Sequence, residues 1–445
     1  SLESALPSPT ENEEAEAPED KTAAAASRRS WRSLAALFHL RTFEALRYDG
    51  FRLLWLSETF RSMATWMDQV ARGWLIYELT DSPFQLGLVR GVQAIPVLLL
   101  SPVAGSAADR FPRKIQVIVA QILDGLMYAA VALLIITEQI RPWHVYVTAF
   151  TMAIVQTFQQ PSRAAMVAET VPSSHLTNAI GLNSIVFNLS RSTGPALAGL
   201  LIATFGTAGS YTAQAAFYLL ATVWTAQIRP EHLSYSPSQS RSGHRASFGQ
   251  SIIEGWKFSW RNEAVRAGLL ITMFASFFII PFTTLLPVFA RDLLRVGATG
   301  QGLLLTAMGV GALCSAFLIA SLGDQLQRGI LMLGGVAMYG ICVVAFSTSS
   351  WFGLSVVLMA FTGVTHVSSH ALVQTVIQTY SPSEFRGRTM AIFQMSHVML
   401  TVGSMLIGSL AWVAGARWAM ASMGMAGALA MLAIYWALPR ARSIR

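Results

Sequence analysis

The sequence predicts an all-α membrane protein of twelve transmembrane helices, arranged as two six-helix halves around a central cavity. Three observations predict it. The 445 residues are 53% hydrophobic and only 12% charged, too apolar for a soluble domain and usual for a helical bundle in lipid. Apolar windows of roughly 20 residues, the length that crosses a bilayer, recur near 53–77, 86–107, 115–137, 144–160, 178–204, 211–228, 266–290, 300–321, 330–348, 351–376, 389–414 and 418–438. A polar stretch over 229–263, rich in Ser, Pro and charge, divides six windows from six.

Along the chain, residues 1–48 read as a disordered cytoplasmic tail, acidic and Ala-rich over Glu11–Asp20 and without an apolar run long enough for a signal peptide. Insertion then rests on the first span. Residues 49–228 form the first half, 229–263 the linker and 264–439 the second half, with 440–445 a cytoplasmic tail. The second part of the linker, Phe248 to Phe258, has helical apolar spacing beside Lys257 and Arg261, which predicts an amphipathic helix along the membrane surface. Alternate loops, such as Phe205–Ser210 and Arg291–Thr299, are poor in basic residues. The positive-inside rule puts these outside and both termini in the cytoplasm.

The formal net charge of +8 would suggest nucleic acid for a soluble protein. Here the basic residues sit mostly in loops on one side, where they set orientation and meet anionic lipid. Neither nucleic acid nor an obligatory protein partner is implied. Cys314 and Cys342 lie in apolar runs and read as small buried residues.

The first span carries Glu58, Arg61, Thr65, Asp68 and Arg72. At 100° per residue the four charges share an arc of about 80°, one polar stripe. Charge at membrane depth is costly, so the stripe must face the interior or a watery cavity, where Asp68 and Arg72 can pair at i,i+4. Asp68 is the first proton-coupling candidate, with Arg72, Glu58 and Asp124 beside it; Glu58 and Arg61 also suit a gate or anchor. Arg90, Asp124, Arg191, His366, His370 and His397 are the other polar groups at depth. Asp124 can pair with Arg90 or Arg191. Arg191 with Asn183, Ser184 and Asn188 gives the fifth window a polar side for cavity lining or helix packing. His366 and His370 share a face but have no third ligand, so no metal is expected. Gly194, Pro195 and Gly199 allow close packing and a kink. Trp66, Phe158, Phe277, Phe278, Phe282 and Phe393 would suit an adaptable apolar cavity.

A repeat crosses the linker. Asp109-x-x-x-Arg113 matches Asp324-x-x-x-Arg328, and Thr170 precedes Gly194-x-x-x-x-Gly199 by the interval at which Thr379 precedes Gly403-x-x-x-x-Gly408. Two related halves explain it.

Gly105-x-x-x-Asp109-Arg110-x-x-Arg113-Lys114 resembles the signature loop of the major facilitator superfamily. Gly105 would permit close helix approach, and Asp109 with its basic neighbours would latch helix ends as the halves rock. The Asp324/Arg328 counterpart is degenerate. Phe158-Gln-Gln-Pro161-Ser-Arg163, Leu176-Thr-Asn178-Ala179 and Ser381-Pro-Ser-Glu384-Phe-Arg386-Gly387-Arg388 extend the resemblance to the branch holding the enterobactin exporter, macrolide efflux proteins and the transmembrane secretion effector group. Gly194-Pro195 resembles an element of the drug:proton antiporters. The resemblance implies the major facilitator fold in a bacterial plasma membrane and export of a drug-like or siderophore-like molecule by alternating access. Arg386 and Arg388 would belong to a cytoplasmic inter-half latch. No phosphate loop, nucleophile elbow or metal signature is present, so no enzyme and no cofactor is expected, and energy would come from an ion gradient, protons or else sodium. An importer or lysolipid flippase of the same fold, or a non-transporting sensor, are the alternatives.

Overall fold

The computed structural model describes residues 41–229, 248–322 and 328–439. The tail before residue 41, the first part of the linker, Asp324 and residues 440–445 lie outside the described residues. Residues 41–47, counted above with the disordered tail, form a 3-10 helix. Its Ala45 is buried and donates its N–H to Asn178 Oδ1 at 3.0 Å, which ties the segment to the first half.

The first half comprises α1 (Asp49–Thr80), α2 (Pro83–Arg110), α3 (Arg113–Ile136), α4 (Pro142–Glu169) and α5 (Leu176–Ala226). Pro83 and Pro142 open their helices where a missing N–H has no intrahelical partner to lose. The expected loop Phe205–Ser210 is absent: one residue, Gly206 at φ 68°, breaks α5. Trp55 Nε1 donates to Leu182 O at 3.2 Å and Ser57 Oγ lies 2.7 Å from Thr225 Oγ1. Two neighbouring positions on α1 thus meet both ends of α5, so its arms run antiparallel. Glycine makes the tight reversal possible because it alone takes positive φ at little cost.

The surface helix α6 (Phe248–Arg261) precedes the second half. That half comprises α7 (Glu263–Leu293), α8 (Gly297–Leu322), α9 (Arg328–Thr348), α10 (Phe352–Tyr380), α11 (Ser383–Gln394), α12 (Ser396–Ala414) and α13 (Ala416–Ala437). The N-cap Asn262 accepts from the backbone N–H groups of Ala264 and Val265 at 3.1 and 3.2 Å. α7 is irregular, passing through π turns over Ala275–Ile279 and Phe289–Leu293 and a 3-10 stretch over Ile280–Leu285. Pro281 and Pro287 lack the N–H that a regular ladder needs there.

Eight stretches among the described residues are long and apolar enough to cross a membrane, one of them holding both arms of α5. α1 and α4 fall outside that set because each carries ionic and amide side chains into the bundle. Leu99, Phe317, Trp412 and Trp436 are exposed, the inverse of a soluble surface and suited to lipid contact. Cys342 is buried as expected, but Cys314 is exposed; a thiol is apolar enough for that surface.

The glycines of the repeat carry the symmetry of the two halves. A Cβ on Gly194 would lie 2.8 Å from Trp66 Cβ, and one on Gly403 would lie 2.2 Å from Phe277 O, so each packs on the first helix of its own half. A Cβ on Gly199 would lie 2.5 Å from Ala298 O and one on Gly408 2.9 Å from Pro83 O, so each packs on the second helix of the other half. Gly302 against Pro195 O and Gly87 against Ser404 O, both at 2.5 Å for an added Cβ, complete the pairing. The halves therefore meet backbone to backbone along α5 with α8 and α2 with α12.

Charged contacts join them at the end where α1 and α7 finish. Tyr77 O–H donates to Asp292 Oδ2, Arg291 Nη2 pairs with Asp81 Oδ1 at 2.7 Å, and the Arg291 guanidinium lies 5.2 Å from the Tyr77 ring centre. The opposite end, with Phe111 and Pro112, differs. A Cβ on Gly105 would meet nothing within 4 Å, so Gly105 permits no close approach here, against expectation. The bundle is closed by these contacts at the end where α1 and α7 finish.

Candidate functional site

The polar stripe of α1 divides into two ionic clusters. Nearer the Phe111–Pro112 end, buried Glu58 takes a two-pronged contact from Arg61, Nε to Oε2 at 2.8 Å and Nη2 to Oε1 at 2.9 Å. Arg163 Nη1 of α4 binds the same carboxylate. One acid thus holds two guanidiniums, and the fork geometry adds directionality to charge. Arg163 was seen in the sequence only as part of a motif; its partner lies 105 positions away in the chain.

Deeper along α1, Arg72 Nε pairs with Asp68 Oδ2 at 2.8 Å, the expected i,i+4 bridge. Arg72 Nη2 contacts Met152 Sδ at 3.1 Å. The second oxygen of Asp68 is buried without a hydrogen-bond partner. Thr65 lies between the clusters, 3.5 Å from both Arg61 Nη1 and Tyr218 OH.

Asp124 of α3 is fully buried and neither of its oxygens has a hydrogen-bond partner. It does not pair with Arg90 or Arg191. Its electrostatic neighbours are Tyr218, Arg61, Asp68 and Arg72, so it belongs to the α1 stripe. Tyr128, Tyr211 and Tyr218 surround this region, with ring centres 5.4 Å apart for Tyr128 and Tyr218 and 6.1 Å for Tyr128 and Tyr211. Three tyrosines inside apolar runs were the available sequence signal for it. Below, Gln121 Nε2 donates to Ser57 Oγ at 2.9 Å.

Between the halves lies a cavity lined from α1, α2, α7 and α8. The first half contributes Asp68, Gln69, Arg72, Arg90 and Gln93, and the second Thr283, Thr284, Pro287 and Gln301. The structure thus brings Asp68, Arg72 and Arg90 together in one lumen and leaves Glu58, Arg61 and Asp124 outside its lining.

Other expected positions serve packing. Arg191 lies 5.7 Å from the Trp66 ring centre in a cation–π contact. Asn188 donates to Ser184 O at 2.8 Å on its own helix and lines neither described cavity. Gly194, Pro195 and Gly199 make the helix contacts given above. The aromatics expected to form a cavity do not line the Asp68 lumen; Phe282 and Phe393 are buried in the core, and Trp66 packs on Phe187 at 5.5 Å. His366 stands 5.2 Å from the Tyr339 ring beside a second, more apolar cavity. His397 lies 3.1 Å from Gln394 O; the side chain of His370 is outside the described set.

At the Phe111–Pro112 end, Arg113 binds Glu169, and Lys114 Nζ donates to Ala226 O and Ile228 O at 2.9 and 2.6 Å, all within the first half. Arg110 is exposed. Arg388, expected to reach across the halves, instead pairs with Glu254 of α6 at 2.6 Å. The side chains of Asp109, Arg328 and Arg386 lie outside the described set, as does Asp324.

A family model described as transmembrane secretion effector matches residues 40–443. The chain is 28% identical over 378 residues, 81% of its length and 86% of the relative's, to the uncharacterised MFS-type transporter YfiS of Bacillus subtilis. It is 26% identical to the multidrug efflux pump Tap of Mycolicibacterium fortuitum, covering 78% of this chain and 85% of that one. It is 22% identical to the staphyloferrin A transporter of Staphylococcus aureus, covering 79% and 87%. Among solved structures, a bacterial homolog of the human lysosomal transporter Spinster superposes with a TM-score of 0.71 at 14% identity, over 90% of this chain and 98% of that one.

Proposed function

We propose that this chain, which belongs to the transmembrane secretion effector family of major facilitator transporters, exports hydrophobic or amphiphilic small molecules by proton-coupled alternating access. As a member of that family it is a multi-pass plasma-membrane transporter and not an enzyme. One observation carries the coupling: Asp68 lies in the lumen between the halves, one oxygen held by Arg72 and the other unpartnered. Protonation there would release the Arg72 guanidinium and change the charge of the wall that both halves share. Substrate and proton would then be linked through a single ion pair. Glu58, held between Arg61 and Arg163, is in this reading an anchor. Asp124 is a reserve acid behind the lumen.

With both termini and the Phe111–Pro112 turn in the cytoplasm, the end sealed by Tyr77–Asp292 and Arg291–Asp81 would face outward. The loops of Asp109 and Arg386 would meet when the cytoplasmic end closes. Efflux by the relative Tap supports export.

The test is proton movement in proteoliposomes on addition of lipophilic cations, macrolides or catecholate siderophores. Substrate-linked proton movement in wild type that disappears in Asp68→Asn supports the reading. Equal movement in both proteins overturns the role of Asp68.

A further inference from the structure

The lumen beside Asp68 has an unbalanced charge. Its charged lining is one carboxylate, Asp68, and two guanidiniums, Arg72 and Arg90. Asp68 is already engaged: Oδ2 holds Arg72, whose other end turns to Met152 on α4. Arg90 of α2 has Asp68 and Arg72 as its charged neighbours. It makes no hydrogen bond or ion pair with any described residue, although it lies deep between the halves.

The facing wall cannot supply the missing charge. Thr283, Thr284 and Gln301 come from α7 and α8, and all are neutral. Thr284 Oγ1 donates to Ser404 Oγ at 3.2 Å, and Gln301 has a buried carbonyl oxygen without a partner. These are groups that orient a ligand, whereas neutralisation of Arg90 is left to the ligand itself. A cation entering this lumen would meet two positive groups and one already paired acid. An anion would meet an unused planar fork of donors, the geometry that carboxylates accept in two parallel hydrogen bonds.

We propose that the molecule this lumen takes bears a carboxylate-type anionic group that docks on Arg90, with its apolar remainder against Ile76, Leu86, Val89 and Leu305. This rests on the transport reading of the same cavity and narrows its substrate class. Basic lipophilic drugs, the other ready candidates for an efflux lumen, would be disfavoured. An arginine in this position also gives a reason for the neutral second wall: the wall that moves against Arg90 must release the anion, so it carries hydrogen bonds and no counter-charge.

The experiment uses the full chain in lipid nanodiscs and three matched fluorescent probes: dansylglycine, a carboxylate; dansylamide, neutral; and dansylcadaverine, a cation. Wild type is expected to bind dansylglycine at least about tenfold more tightly than dansylcadaverine, the factor that charge-assisted hydrogen bonds typically supply. Arg90→Gln should remove that preference while leaving dansylamide affinity within about twofold, since no charge acts on the neutral probe. Arg90→Lys should retain part of it. The inference is overturned if the cation binds as tightly as the carboxylate in wild type, if the ranking survives Arg90→Gln, or if dansylglycine shows no binding up to about 1 mM. Should Arg90→Gln fail to fold, the wild-type ranking still decides. Efflux of the same probes from proteoliposomes separates the two readings. Arg90-dependent binding without movement upholds this inference and overturns transport of that class, and charge-blind movement overturns this inference and leaves transport standing.

Discussion

The two halves share a scaffold and differ in what they bury. Gly194 and Gly199 in the first half and Gly403 and Gly408 in the second make corresponding contacts, one on the first helix of the same half and one on the second helix of the other. Yet Glu58, Arg61, Asp68, Arg72, Arg90, Asp124, Arg163 and Arg191 all sit within spans of the first half, whereas the charged residues of the second half lie near the ends of its helices. The second half has instead the irregular α7 and the neutral polar wall of Thr283, Thr284 and Gln301. Ions in a bilayer are expensive, so duplicated packing with unduplicated charge separates what the fold requires from what its activity requires.

The comparison breaks most visibly at Glu58. Glu58→Ala strands the guanidiniums of Arg61 and Arg163, and removing one partner of a buried ionic cluster costs about 3–5 kcal/mol. Thermal unfolding in detergent should show a large loss of stability or of monodisperse protein. A near-neutral result would mean that water already solvates the cluster.

Next in size is the packing symmetry. Gly199→Val and Gly408→Val each drive a Cβ into the opposing backbone, at 2.5 and 2.9 Å from the nearest oxygen, and overpacking of this kind costs about 1–3 kcal/mol. Both should push the closed end apart to a similar degree, read as a longer distance between spin labels placed on the 81 and 295 turns. An effect from only one would show that the halves are not mechanically equivalent.

Smaller is the charged seal. Arg291→Gln removes the pair with Asp81, whose side chain is 73% exposed, so its worth is at most about 1 kcal/mol. The same labels should then report a few-fold shift toward the open outer end, weakening as salt is raised in wild type. The smallest effect belongs to Arg388→Gln. Its Glu254 partner on α6 is half exposed, and thermal stability should change by less than about 0.5 kcal/mol.

The helices, the α1 stripe and the repeat were legible because each is a matter of spacing: window length, 100° per residue and a fixed interval. The Asp68–Arg72 bridge was legible for the same reason. Contacts across long separations were not. Glu58 with Arg163, Tyr77 with Asp292 and the placement of Arg90 in the Asp68 lumen arise only when helices from different parts of the chain pack together. Asp124 illustrates the limit: Arg90 and Arg191 were both within reach by sequence, and the fold bonds it to neither. The α5 reversal was placed at 205–210, but its tightness was not legible because one glycine at positive φ does the work of a loop. Gly105 allows no close approach in this structure, since a Cβ there would meet nothing within 4 Å.

In the proposed function, the charged half couples and the neutral half yields. The most direct test of this division is to measure substrate-driven proton movement in proteoliposomes for wild type, Asp68→Asn and Thr283→Ala, with the fold of each checked by thermal unfolding. Loss of coupling, by about tenfold or more, is expected in Asp68→Asn alone, with Thr283→Ala changing substrate affinity but not the protons moved per substrate. Unchanged coupling in a well-folded Asp68→Asn protein would contradict it.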